Sequence, residues 1–205
     1  MERQQTMYLW RKLKPVDQEA LLRFRQTEQR PWHSPPHYQS DDGLYLITAA
    51  CYEHHHIAGH SLDRLSHFAR DLLQTIEQAK VHAWILLPNH YHLLLEHPDV
   101  KDLLKQLGRL HGRTSRQWNL EEAFVGRKVW CNAVETAIKS EGHFYAALNY
   151  VLHNAVKHRY VERWQDWPFS NAAKYLTEVG HDEAERRWKT YPILDMGKVW
   201  DPPEL

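Results

Sequence analysis

The sequence predicts an α+β protein: a ferredoxin-like antiparallel sheet with helices on one face, ordered β-α-β-β-α-β-α, plus an N-terminal helix and a C-terminal helical tail. Three observations carry this. Strand-like and helix-like apolar patterns alternate through the middle of the chain. The strand-like runs "VHAWILL" and "HYHLLLE" are separated only by Pro88-Asn89, a tight turn between neighbours. A length of 205 residues suits one core with decorations better than two full domains.

Each element has its own justification. "KPVDQEALLRFRQTEQR" places Pro15 where a first helical turn tolerates it and predicts a short N-terminal helix. "PWHSPPH" then forces an extended linker, because its three prolines cannot continue a helix. "GLYLITAACYE" follows a turn signal and reads as a strand. "SLDRLSHFARDLLQTIEQAK" spaces Leu62, Leu65, Phe68, Leu72 and Ile76 helically, with Ser61 as its cap. After the strand pair, "DVKDLLKQLGRLHGRTSRQW" is helical, "RKVWCNAVETAI" is a fourth strand, and "EGHFYAALNYVLHNAVKHR" is a third long helix. Pro168 opens a short final helix, "FSNAAKYLTE". The domain boundaries expected are 1–40 for the helix and linker, 41–178 for the body and 179–205 for the tail.

The totals exclude some classes. Twenty-six basic and 26 acidic residues cancel, so global charge points to no nucleic-acid partner, although a local basic surface is compatible with it. Nine tryptophans and ten tyrosines suit either a core or a platform for unpaired bases. Two cysteines, Cys51 and Cys131, make no disulfide framework and read as small core side chains. No secretory leader and no apolar run of about 20 residues is visible, so a reduced, cytoplasmic protein is expected.

The histidines of "LLPNHYHLLLE" pose the chemical question. Strand side chains alternate, so His90 and His92 share one face and Tyr91 takes the other. Their Cα atoms then lie about 6.6 Å apart, close enough to converge on one metal ion, or simply to form a polar pair on a solvated face. On the third long helix, Leu148, Val151, Leu152, Ala155, Phe144 and Val156 form one arc, while Tyr150, Asn154 and Lys157 fall together opposite it. That opposite face is either ordinary solvated surface or a nucleophile, an oxygen ligand and a phosphate contact in a row.

Further candidates surround these. Lys101, Lys105, Arg109, Arg113 and Arg116 meet a single acid, Asp102, across residues 101–118, and steps of four wind them into a basic stripe suited to phosphate contacts. Lys157, His158, Arg159 and Arg163 add positive charge beyond Tyr150. Trp164 and Trp167 read as packing for the last helix, with base stacking as the alternative. "EHHHIAGH" reads as a strand end and loop, since successive strand side chains diverge.

"PNHYHLLLE", then about 60 residues later "NYVLHNAVKHRYV", then "DWPFSNAAKY", resembles the single-tyrosine HUH transposases of the IS200-like kind, and among them the REP-associated tyrosine transposases. The match runs from about Leu44 to Tyr175. It implies that His90, His92 and Asn154 hold a divalent metal ion, Mg²⁺ or Mn²⁺, and that Tyr150 is the catalytic nucleophile. Mn²⁺ suits two imidazoles and an amide oxygen better than Mg²⁺. Ala155 stands where the family usually has proline, Arg159 where glycine is common, and His153 lies one place later than in many relatives. These departures bear on hairpin preference.

The resemblance further implies single-stranded DNA with palindromic hairpins as partner, cutting through a 5′-phosphotyrosine link, and a monomer rather than a dimer. Two other readings are a hairpin-binding regulator that no longer cuts, and a metal-dependent phosphodiesterase that uses water.

Overall fold

In a computed structural model of the chain, residues 43–193 are described, together with 14, 16, 17, 20, 196 and 197. Apart from helical backbone at Val16, Asp17 and Ala20, the expected N-terminal helix and proline-rich linker lie outside those residues, as does most of the tail after Ile193. The described strands are β1 (Leu44–Ala50), β2 (Lys80–Leu86), β3 (His90–Glu96) and β4 (Val134–Ala137). The helices are α1 (Leu62–Thr75), α2 (Val100–Glu121), α3 (Glu141–Leu152), α4 (Asn154–Lys157), α5 (Ala172–Val179) and α6 (His181–Thr190). The sheet order is β2-β3-β1-β4 with every neighbouring pair antiparallel, the ferredoxin-like arrangement expected.

Caps and apolar spacing explain the helices. Ser61, Asp99 and Ser140 each accept a bond from a backbone N–H in the first turn of α1, α2 and α3. On α2, Leu103, Leu107, Leu110, Thr114 and Trp118 recur every three or four residues and are buried. They meet Phe68 and Leu72 of α1 beneath Tyr45, Ile47, Tyr91, Leu93 and Leu95.

The two faces of the sheet are both covered, which corrects the expectation of helices on one face. Leu46, Ala83, Ile85 and Leu94 point away from α1 and α2 and pack on Ala147, Leu148, Val151 and Leu152 of α3. The reason lies in β3, whose residues His90 to Leu95 are buried without alternation, so neither side can face water.

Two elements also differ in extent. The fourth strand, expected from residue 127, is paired only over Val134–Ala137, with one isolated bridge upstream between Cys51 and Trp130. The Trp130 ring stacks on His111 at 4.7 Å and Phe68 at 4.9 Å, and this core packing draws the chain off the ladder. The third helix breaks at His153 and resumes as α4. Of the two readings of its outer side, solvated surface is excluded for Tyr150 and Asn154, which are 1% and 0% exposed. The later chain wraps over it, and the Asn149 amide donates to the carbonyls of Arg187 and Tyr191 at the end of α6. Among the described residues, no helix is long and apolar enough to cross a membrane.

Candidate active site

His90 and His92 project from β3 toward α3, while Tyr91 points into the opposite core and meets His111 through its hydroxyl at 3.0 Å. On β1 the partners of the two histidines are small: Ala50 lies opposite His90 and Thr48 opposite His92. Both imidazoles are buried, with ring centroids 5.0 Å apart.

Each imidazole is oriented from behind. Oδ1 of Asn89 lies 2.7 Å from Nδ1 of His90, and the Asn89 amide nitrogen donates to the His54 carbonyl at 3.1 Å. That second bond makes Oδ1 the acceptor, so Nδ1 of His90 carries the proton and Nε2 keeps a lone pair. Thr48 Oγ1 lies 2.9 Å from Nδ1 of His92 and holds the second ring from behind. Such outer partners are what orient ligating histidines and raise their basicity.

The front of the site comes from α3 and α4. The Tyr150 hydroxyl lies 3.2 Å from Nε2 of His92, across 58 positions of sequence. Oδ1 of Asn154 lies 3.0 Å from Nε2 of His90. Two acceptors at that separation repel one another unless a proton or a cation lies between them. About 3 Å is also the spacing of two adjacent ligands around an octahedral ion with bonds of about 2.1 Å. The residues that could hold a metal are therefore two imidazoles and one amide. Among the described residues, no cluster of three histidine, cysteine or carboxylate side chains is placed to do so.

The same pocket holds His158 and Lys157, which the sequence marked only as phosphate contacts or added charge, and Gly197, which it did not single out. The His158 ring meets His90 edge-on at 5.0 Å and is buried. The Lys157 ammonium sits 5.0 Å from the centre of the Tyr150 ring. Gly197 lies directly on the phenol: a Cβ built there would fall 2.7 Å from Tyr150 Cε2, 2.9 Å from its hydroxyl and 2.8 Å from Lys157 Nζ. Thr48 and Asn89 could have been found only with the strand register in hand, and Gly197 not even then.

Other candidates lie elsewhere. His153 is sandwiched between Trp164 and Trp188, and burial pushes its pKa down to about 4. Lys101, Lys105, Arg109, Arg113 and Arg116 are exposed on α2, with Arg113 bonded to Asp71 of α1 at 3.0 Å. Because α2 packs against the Tyr91 side, the sheet separates this stripe from His90 and His92. Lys157 and the exposed Arg159 stand beside the site instead. Cys51 and Cys131 are buried, and burial pushes the Cys51 thiol up to about 12.

Fold and site together define a ferredoxin-like domain whose two strand-borne histidines face a helix-borne tyrosine. The chain is similar to REP-associated tyrosine transposases. It is 29% identical over 145 residues to a Haemophilus influenzae protein named "Putative REP-associated tyrosine transposase", covering 63% of this chain and 79% of that one. It is also similar in fold to a solved REP-associated tyrosine transposase bound to a REP hairpin, with a TM-score of 0.55 and 18% identity over 72% of this chain and 88% of the other. No protein-family model matches the chain.

Proposed function

We propose that the protein is a metal-dependent enzyme that nicks and rejoins single-stranded DNA beside hairpins, through a 5′-phosphotyrosine link, in the manner of a transposase. The observation that carries this is the convergence of Tyr150 on His92 and of Asn154 on His90, at 3.2 and 3.0 Å, within one chain. One copy supplies all four groups, in keeping with a monomer.

His90, His92 and Asn154 would hold the divalent ion, Mn²⁺ or Mg²⁺. When bound, that ion neutralises charge developing on the scissile phosphate. The protein's own residues do the rest. His92 Nε2, 3.2 Å from the phenol, orients its oxygen toward the site. A free phenol has a pKa of about 10, and the Lys157 ammonium over the ring favours the phenolate. The Tyr150 oxygen then bonds to phosphorus as the bond to the 3′ oxygen breaks, and that oxygen leaves with a proton. Attack by a new 3′ hydroxyl reverses the step and joins strands. Lys157 and Arg159 would contact the strand at the cut. The stripe on α2 would reach more distant phosphates around the sheet edge.

The test uses single-stranded oligonucleotides carrying palindromic hairpins, including any inverted repeats found beside the gene, with Mn²⁺ or Mg²⁺. A covalent protein–DNA adduct is expected, and Tyr150→Phe abolishes it while leaving binding largely intact. An adduct that persists in that variant moves the nucleophile elsewhere. A second reading, hairpin binding without cutting, draws on the burial of the phenol beneath Gly197. Tight binding with no adduct at any metal concentration would establish it.

A further inference from the structure

Beside the site lies a row of rings that the proposed chemistry does not use, two of which, Tyr160 and Trp167, pack on the edge of the core. The exposed His56 places Nε2 3.4 Å from the Tyr160 hydroxyl, with ring centroids 6.5 Å apart. Tyr160 in turn tilts against Trp167 at 5.3 Å, and Trp167 is pinned by its indole N–H, which donates to the Leu86 carbonyl at 2.9 Å. Tyr160 and Trp167 are only partly buried. His56 belongs to neither core cluster, so packing does not account for its place.

Two features tie this row to the candidate active site. Tyr160 follows His158 by two residues, and the His158 ring meets His90. The loop that bears His56 is joined to Asn89, the partner of His90, through the His54 carbonyl. That loop is also costly to form. Glu53 and His54 both adopt left-handed backbone, with φ of 53° and 54°, though neither is glycine. The charges nearby suit a polyanion: Arg159 is exposed next to Tyr160, Lys128 lies over the Tyr52 ring at 5.0 Å, and the one loop carboxylate, Glu53, is 3.6 Å from His55.

We propose that His56 and Tyr160, backed by Trp167, form a shelf on which one unpaired DNA base next to the scissile phosphate stacks. Rings on a basic surface bind bases of any identity through their faces, so the shelf would position the strand rather than read its sequence. This inference rests on the nuclease reading of His90, His92 and Tyr150 but uses none of those groups.

The test places 2-aminopurine at successive positions around the cut site of an oligonucleotide that forms the adduct, and binds it to Tyr150→Phe protein so that no cleavage intervenes. Stacking should quench one position. Adding Tyr160→Ala should abolish that quench and weaken binding by roughly 5- to 100-fold, the usual loss for one stacked base. His56→Ala should weaken it less, and Tyr160→Phe should keep it. Tyr160→Leu preserves bulk without a π face, so it decides the matter if the alanine variant unfolds. Quenching unchanged in Tyr160→Leu and His56→Ala overturns the shelf. Absence of any wild-type adduct refutes the nuclease reading instead, and the quench measured on a hairpin with a single-stranded overhang still decides the shelf.

Discussion

Thr48 and His92 face one another directly across β1 and β3, with Oγ1 of the threonine 2.9 Å from Nδ1 of the imidazole. The threonine thereby holds the ring so that Nε2 faces Tyr150 at the front of the site. Thr48→Val keeps the shape and removes the partner. It should lower the apparent affinity for Mn²⁺ in adduct formation by about 10- to 100-fold, with little change in melting temperature. Thr48→Ser should restore it. Equal metal dependence in wild type and the valine variant would remove Thr48 from the site.

Asn89 does two jobs through one amide, accepting from Nδ1 of His90 and donating to the His54 carbonyl. Asn89→Asp keeps an acceptor for the ring but loses the donor. The prediction is that Asn89→Ala loses about 10- to 100-fold in metal affinity, and that Asn89→Asp recovers most of it while melting lower than wild type. Metal affinity can be read by isothermal titration, independently of any cleavage.

Gly59 holds the turn that carries Asn89. Its N–H donates to the Pro88 carbonyl at 2.8 Å, and a Cβ there would fall 2.3 Å from Pro88 Cβ and 2.7 Å from Pro88 Cα. Such an overlap cannot be relieved by rotating a side chain, because the opposing atoms belong to a ring and to backbone. Gly59→Ala should cost about 1–3 kcal/mol by denaturant unfolding, and should lower metal affinity through Asn89. Gly108, which meets nothing within 4 Å, is the control, and Gly108→Ala should be neutral or stabilising.

Burial pushes both His111 and His153 down to about 4. Each is neutral when folded, whereas the unfolded side chain gains its proton near pH 6.5. Their stabilisation is full above that value and is lost as pH falls toward 4, because the unfolded chain then binds more protons. Between pH 8 and pH 5 each should cost about 2 kcal/mol of unfolding free energy. Urea titrations at the two pH values check this. His111→Gln should reduce the difference by about half.

Much of the site was legible because it rests on short-range periodicities. Strand alternation places His90 and His92 on one side, and helical spacing aligns Tyr150 with Asn154. What alternation cannot supply is the identity of the layer on each side. β3 is buried on both faces, so α3 could be assigned to the histidine side only from coordinates. The reading of Tyr150 and Asn154 as a face opposite the core failed for a similar reason: both turn to the histidines of β3, and Gly197, over 40 residues downstream, lies on the phenol. His158, read from the sequence only as added positive charge, meets His90 because the helix breaks at His153, which local pattern did not announce.

The contact between Gly197 and Tyr150 carries the last prediction. The phenol is 1% exposed, and the glycine backbone lies where any group approaching the hydroxyl from that side must pass. A phosphate therefore reaches the hydroxyl only after this stretch of chain moves. Gly197 also sits at φ 82°, a conformation that costs an L residue about 1–3 kcal/mol. Gly197→Ala adds that strain to a clash with the Tyr150 ring, which is itself held by β3 and α3, so the terminal segment should yield first. Adduct formation should then speed up severalfold at saturating Mn²⁺, with binding of the hairpin unchanged. A slower rate in Gly197→Ala would mean that the ring, not the segment, gives way.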